Sequence, residues 1–359
     1  METKRLDALT SLRFFAAGAV VIFHGKAIFG MPSFLANLSL TQAVSFFFVL
    51  SGFILAYGQK SLETPEEIFR FYVGRVARIW PAHVVSALVA IIIILHQGAA
   101  ISPFAAAMNL LLLQSWVPDP GVFFSLNGVS WSLSDEIFFY ILFPFIVLAA
   151  RTQTLKWLLG SAIATALMIG AVSFASDHML RLWGASISPL TRLSEFVLGI
   201  AASQVFGRVR GVALGQLNAT ILEIAALISV ILAMRLGNYD LLLRVGIPDA
   251  QALWFANTGG GFAFAFAITV LALQQGAISR LLQARVLVYL GEISFALYLT
   301  HQLVFRTGIW SGSTADLIIY WAATILAAMG LHHFVERPFQ RIIMRRAPSS
   351  KLQPVPNNR

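Results

Sequence analysis

Apolar stretches of about twenty residues recur from one end of this chain to the other, and no other feature narrows the choice of fold so far. A hydrocarbon core of ~30 Å is crossed by ~20 helical residues at 1.5 Å each, and inside it the backbone must satisfy its own polar groups. Runs of this kind lie near 12–29, 43–57, 79–95, 131–150, 155–175, 190–206, 219–234, 253–273, 286–305 and 315–334. They predict an all-α, polytopic membrane helix bundle of about ten transmembrane helices. Composition agrees: 58% of the 359 residues are hydrophobic, 11% are charged, and the mean hydropathy is +0.78. A soluble domain cannot hide that much apolar surface. The first run holds Arg13 and His24 and does not end in a small-residue cleavage site, so we read it as a mature span rather than a secretory signal.

One further run, 103–116, is short and opened by Pro103, which suits a re-entrant or interfacial helix as well as a span. Charge placement decides between them. If 103–116 does not cross and the N-terminus is cytoplasmic, most of the 25 Lys and Arg fall on the cytoplasmic side, among them Arg70, Arg75, Arg78, Arg151, Lys156, Arg208, Arg210 and the Arg337–Arg346 group. If it did cross, every later loop would invert and the basic C-terminal end would lie on the wrong face. The expectation is therefore a short non-spanning helix near 103–116 with both termini cytoplasmic. No internal repeat is visible, so residues 1–346 read as one membrane domain. Residues 347–359, with Pro348, Pro354 and Pro356 among polar neighbours, read as a disordered tail. The net charge of +9 is what basic cytoplasmic loops produce and does not point to nucleic acid. The absence of cysteine excludes disulfides, thiolate metal sites and acyl-cysteine intermediates.

An ionisable side chain inside a span costs a few kcal/mol, so each one asks for a reason. Arg13 and His24 are eleven residues apart on the first span, which places them on one face and about 16 Å apart along the axis. His24 reads either as a polar residue bonded to a neighbouring helix or as a general base, since a neutral imidazole accepts a proton. The segment Ser130-Trp131-Ser132-Leu133-Ser134-Asp135-Glu136 opens a descending span and sets Glu136 at a depth close to that of His24. The two could pair, the carboxylate orienting the ring; a helix start with Asp135 or a Ser as cap and Glu136 near the positive end of the dipole is the equal alternative. Arg75 and Arg78, one turn apart on the cytoplasmic side, make a two-guanidinium clamp suited to a diphosphate, or a lipid-headgroup anchor. His301, near the outer end of its span, reads as a packed polar residue with some role at the site. His332, His333, Glu336 and Arg337 read as a structural ion-pair group, and no His doublet here has metal-ligand spacing.

Taken together these segments resemble the acyltransferase-3 group of bacterial membrane O-acyltransferases, relatives of exopolysaccharide and O-antigen acetyltransferases. The matching stretches are Leu9 to Ala17 leading to His24, Phe46 to Ile54, Arg75 to Pro81, Trp131 to Glu136 with Tyr140 to Pro144, Leu290-Gly291 to His301, and Glu336 to Phe339, in the family's order over almost the whole chain. The resemblance implies transfer of an acyl group, most often acetyl, from cytoplasmic acyl-CoA to a hydroxyl of a cell-surface glycan or lipid-linked glycan, in a multi-pass protein of the bacterial cytoplasmic (inner) membrane. It also implies that Arg13 and His24 form the family's Arg and His pair, that Arg75 and Arg78 are its donor-binding Arg-x-x-Arg, and that Glu136 is its Ser-x-x-x-Glu carboxylate. Ser134, Trp131, Tyr140, Asp135 and His301 become accessory candidates. Many members place a second Glu after the first, where this chain has Ile137, so any role needing adjacent acids falls to Asp135 or is absent. The esterase-like domain fused to some relatives is not recognisable here, which predicts action alone or with a separate partner. No metal is expected; the expected partners are acyl-CoA, the glycan acceptor and membrane lipids. The competing class is a transporter or flippase of a lipid-linked glycan that uses Glu136 and His24 as a proton relay, although the inverted repeats common in transporters are not apparent.

Overall fold

The computed structural model describes residues 5–58 and 62–346, and the tail expected at 347–359 lies outside them. The described chain folds into helices α1 (Asp7–Phe29), α2 (Ala43–Gly58), α3 (Pro65–His96), α4 (Pro103–Leu110), α5 (Pro120–Phe123), α6 (Trp131–Ser173), α7 (His178–Leu182), α8 (Pro189–Val209) and α9 (Gln216–Leu236). There follow α10 (Tyr239–Arg244), α11 (Asp249–Thr258), α12 (Gly261–Ala272), α13 (Ala277–Leu282), α14 (Arg285–Glu292), α15 (Ser294–Phe305), α16 (Thr314–Leu331) and α17 (Arg337–Arg346).

Among the described residues, eight helices are long and apolar enough to cross a membrane, and the α14–α15 pair, bent by 60°, makes a ninth if it counts as one span. The apolar run at 190–206 is α8. Its 21 residues have the length, but Arg192, Glu195 and Arg208 make it more polar than the rest, and the first two of these are turned into the protein. Helix α6 joins two spans, 128–148 and 153–173, across a kink at Gln153, whose backbone leaves helical geometry. As the charge distribution required, 103–116 does not cross: α4 has eight residues, about 12 Å of helix, and a 3₁₀ turn at Gln114–Trp116 follows.

Local chemistry fixes the helix ends. Thr64 caps α3 by accepting the Glu67 backbone N–H, the Glu67 carboxylate accepts the Thr64 N–H in return, and Pro65 fills the first turn. Between helices, glycines set the closest approaches. A Cβ on Gly52 would fall 2.0 Å from the Phe196 carbonyl oxygen, and one on Gly199 2.0 Å from that of Val49, so α2 and α8 cross backbone to backbone. Gly291 brings α14 against α1 in the same way, 1.9 Å from the Thr10 carbonyl. In lipid, where apolar surfaces gain nothing by leaving their solvent, such small-residue crossings supply much of the association.

Ion pairs and hydrogen bonds mark the two ends of the bundle. Glu292, at the α14–α15 bend, holds Arg5 (2.5 Å) and Arg337 (2.9 Å), gathering the start of α1 and the start of α17 on one face. At the other end Gln97 donates to the Arg306 carbonyl (2.8 Å), while Arg306 itself bonds the Leu126 carbonyl. The first and last described helices therefore share the basic face.

Candidate active site

A cavity of about 350 Å³ opens between α1, α2, α3, α6, α15 and α17. Residues spaced by one turn bring their side chains to it: Arg75 and Arg78 from α3, and Ser132, Glu136 and Tyr140 from α6, with Arg13 from α1 and Ser51 from α2. Glu136 Oε1 accepts hydrogen bonds from Ser51 Oγ (2.9 Å) and from the Tyr140 hydroxyl. The Arg75 guanidinium lies 5.8 Å from the Tyr140 ring and 5.6 Å from that of Phe71, and its buried Nε has no hydrogen-bond partner among the described residues. Arg78 is 3.6 Å from Glu336 Oε1, whose other oxygen takes His332 at 2.7 Å. Glu336, 2% exposed, thus fixes one arginine while the second faces the cavity with a nitrogen to spare. Val44, Phe47, Phe48 and Leu133 form an apolar part of the same wall. Guanidinium groups over an apolar chamber can hold an anionic head and admit an apolar end.

His24 does not line this cavity, and no hydrogen bond or ion pair among the described residues joins it to Glu136. Its Nδ1 lies 3.0 Å from Nε2 of His301, with ring centroids 5.1 Å apart. The reason is axial: Arg13, on the same face of α1 as His24 but three turns nearer the start of the helix, shares the cavity with Glu136, so His24 lies about 16 Å further along α1 and meets α15 instead. Tyr298, one turn before His301, connects the two places: it lines the cavity, its ring centroid lies 5.9 Å from that of His301, and its hydroxyl meets Ser132 Oγ (2.8 Å) and the Val129 carbonyl (2.9 Å).

The remaining accessory candidates lie elsewhere on α6. Ser134 bonds Ser115 (2.7 Å), and Asp135, fully buried, faces Ser115, Arg192 and Glu195. Arg192 pairs with Glu195 at 3.1 Å, donates to the Asn257 carbonyl (3.1 Å), and lies over Phe48 and Trp131 at 5.0 and 5.9 Å from their ring centres. This closed cluster ties α6 to α8 and α11. Trp131, Ser134 and Asp135 belong to it and not to the cavity. Sequence reading passed over Ser51, Ser132 and Tyr298 as site residues; the i, i+4 series 132, 136, 140 carried the signal for Ser132. Glu336 pairs with His332 as the ion-pair group read from the sequence expects, and it also holds Arg78 from outside that group, while Arg337 turns to Glu292.

A polytopic helix bundle with a cation-lined intramembrane cavity and a half-buried histidine, His24, paired with a buried one, His301, has the parts of a membrane group-transfer enzyme. The acyltransferase-3 family model, described as an acyltransferase domain, matches residues 6–332, and the chain belongs to that family and is an acyltransferase. It is 31% identical over 391 aligned residues to the acyltransferase MdmB of Streptomyces mycarofaciens, covering 96% of this chain and 94% of that protein. It is 25% identical over 310 residues to the exopolysaccharide production protein ExoZ of Rhizobium meliloti (strain 1021), covering 83% and 89%. No solved structure gives a significant match.

Proposed function

We propose that this protein transfers an acyl group, with acetyl as the first donor to try, from cytoplasmic acyl-CoA to a hydroxyl of a cell-surface glycan or lipid-linked glycan, in the bacterial cytoplasmic membrane. The convergence of Arg13, Arg75 and Arg78 with Glu136 around one cavity carries this reading. Arg75 and Arg78 have the spacing to hold a diphosphate, and Glu336 keeps Arg78 extended toward it. The thioester then lies in the apolar part of the chamber, toward Tyr298 and the histidines. His24 takes the proton of the acceptor hydroxyl as its oxygen bonds to the acyl carbon; the C–S bond breaks, its electron pair leaves with CoA, and His24 returns the proton to the thiolate. Transfer through an acyl-His24 intermediate has the same overall balance. Glu136, held by Ser51 and Tyr140, is the acid set among the arginines of the cavity. The cytoplasmic donor fits the basic face on which the Arg pair opens, and the glycan acceptor accords with the name of the ExoZ relative.

The test is CoA release from acetyl-CoA by purified protein supplied with a surface-glycan fraction. Release that requires the acceptor supports the proposal. Absence of release with acetyl and longer acyl donors alike, while the glycan is bound, would favour transport instead.

A further inference from the structure

The pairing of two histidines that lie 277 positions apart deepens this reading and rests on it. At 3.0 Å, one of His24 Nδ1 and His301 Nε2 must donate and the other accept. The surroundings choose between them. His301 is fully buried, and with Nε2 given to His24 only Nδ1 remains; it makes no hydrogen bond among the described residues and has the carbonyls of Leu297 and Tyr298, in the preceding turn of its own helix, as polar neighbours. A bare Nδ1 would set its lone pair against those carbonyl oxygens, so the proton of His301 belongs on Nδ1 and its Nε2 is bare. The His24 ring likewise lies against a carbonyl one turn back, that of Val20. With Nδ1–H donated toward His301, His24 keeps an unprotonated Nε2.

We infer that His301 is the positioning residue for His24, fixing its orientation and the tautomer in which Nε2 is free to take the acceptor's proton or the acyl group. The role assigned to an orienting carboxylate in a Ser-His-Asp triad is filled here by a neutral imidazole, and Glu136 is left to the donor cavity. Tyr298, one turn before His301 and bonded to Ser132, sets the register of α15 against α6 and so holds His301 in place.

The test compares wild type with His301→Gln and His301→Leu. The glutamine amide oxygen can accept where Nε2 does; leucine cannot. We expect His301→Leu to lower kcat for CoA release by at least ~100-fold with KM for acetyl-CoA within about 3-fold of wild type, because a wrong tautomer costs up to ~10⁴ in a Ser-His-Asp triad. His301→Gln should recover kcat to within about 10-fold of wild type. Nitrogen-15 NMR of histidine-labelled protein, with His24 assigned by its loss in His24→Ala, should give Nδ1–H in wild type and the glutamine variant. Full activity in the leucine variant, equal losses in both, or Nε2–H at His24 in wild type would overturn the inference. If the leucine variant does not fold, His301→Asn, polar but too short to reach His24, replaces it with the same expected loss. Wild type that shows Nδ1–H yet releases no CoA would sink the donor reading while supporting the tautomer assignment.

Discussion

Asp135 and Glu136 are neighbours in the sequence and stand in different chemical worlds. Rotated by about 100° from each other on α6, Glu136 meets a cavity shared with three arginines, while Asp135 is sealed against Arg192 and Glu195. Both are carboxylates inside a membrane, so intramembrane charge alone does not separate a reaction chamber from a structural clasp. What separates them is space. The Glu136 group borders a volume that a substrate could enter, and the Asp135 group is filled by its own side chains.

The sharpest way to break this contrast is to attack the closed cluster through its arginine. Arg192→Leu removes the ion-pair partner of buried Glu195 and the cation nearest buried Asp135, and losing one member of a buried pair costs about 3–5 kcal/mol. We expect a large fall in the thermal midpoint in detergent, with loss of a monodisperse species; unchanged stability would mean that the cluster is not a clasp. Glu136→Gln should instead leave the thermal midpoint in place and lower CoA release by roughly 100-fold, the scale of a lost acid–base or charge-stabilising group. Arg75→Ala and Arg78→Ala should act mainly on the donor, each raising KM for acetyl-CoA about 10-fold or more, in line with ~1.5–3 kcal/mol for a charged hydrogen bond. The smallest effect is expected for Asp135→Asn, with activity within about 3-fold of wild type. A loss as deep as that of Glu136→Gln would place Asp135 in the chemistry and dissolve the distinction.

The bundle was legible from apolar run lengths and charge bias because lipid permits so few folds. The short α4 followed from Pro103 and the position of Arg151 and Lys156 in the charge count. Arg75 and Arg78 were legible as a pair because helix periodicity puts i and i+3 on one side. Glycines in the resembling segments, Gly52 and Gly291, have a plain physical meaning: they are where backbones touch. The partner of His24 was not legible. Counting residues from the helix ends set Glu136 at the depth of His24, yet it is Arg13, three turns away on the same face, that shares a cavity with Glu136; which helix His24 meets depends on packing, and residues 24 and 301 share no local pattern. Counting depth placed His24 beside Glu136; packing placed it beside His301. Asp135 does not join Glu136 at the cavity because adjacent helical residues point about 100° apart, and the series 132, 136, 140 already excluded position 135 from that face. Helix α8 had the length of a span, but its charges, turned inward, made it the polar seam between α2 and α6.

The central claim is that acyl transfer depends on His24. The most direct measurement is CoA release from acetyl-CoA by wild type and His24→Ala, both purified in detergent and checked for equal thermal midpoints, with a surface-glycan fraction as acceptor. We expect acceptor-dependent release by wild type and a loss of at least about 10³-fold in the variant. Release by a folded His24→Ala protein at the wild-type rate would contradict the claim and move the chemistry to the Glu136 cavity.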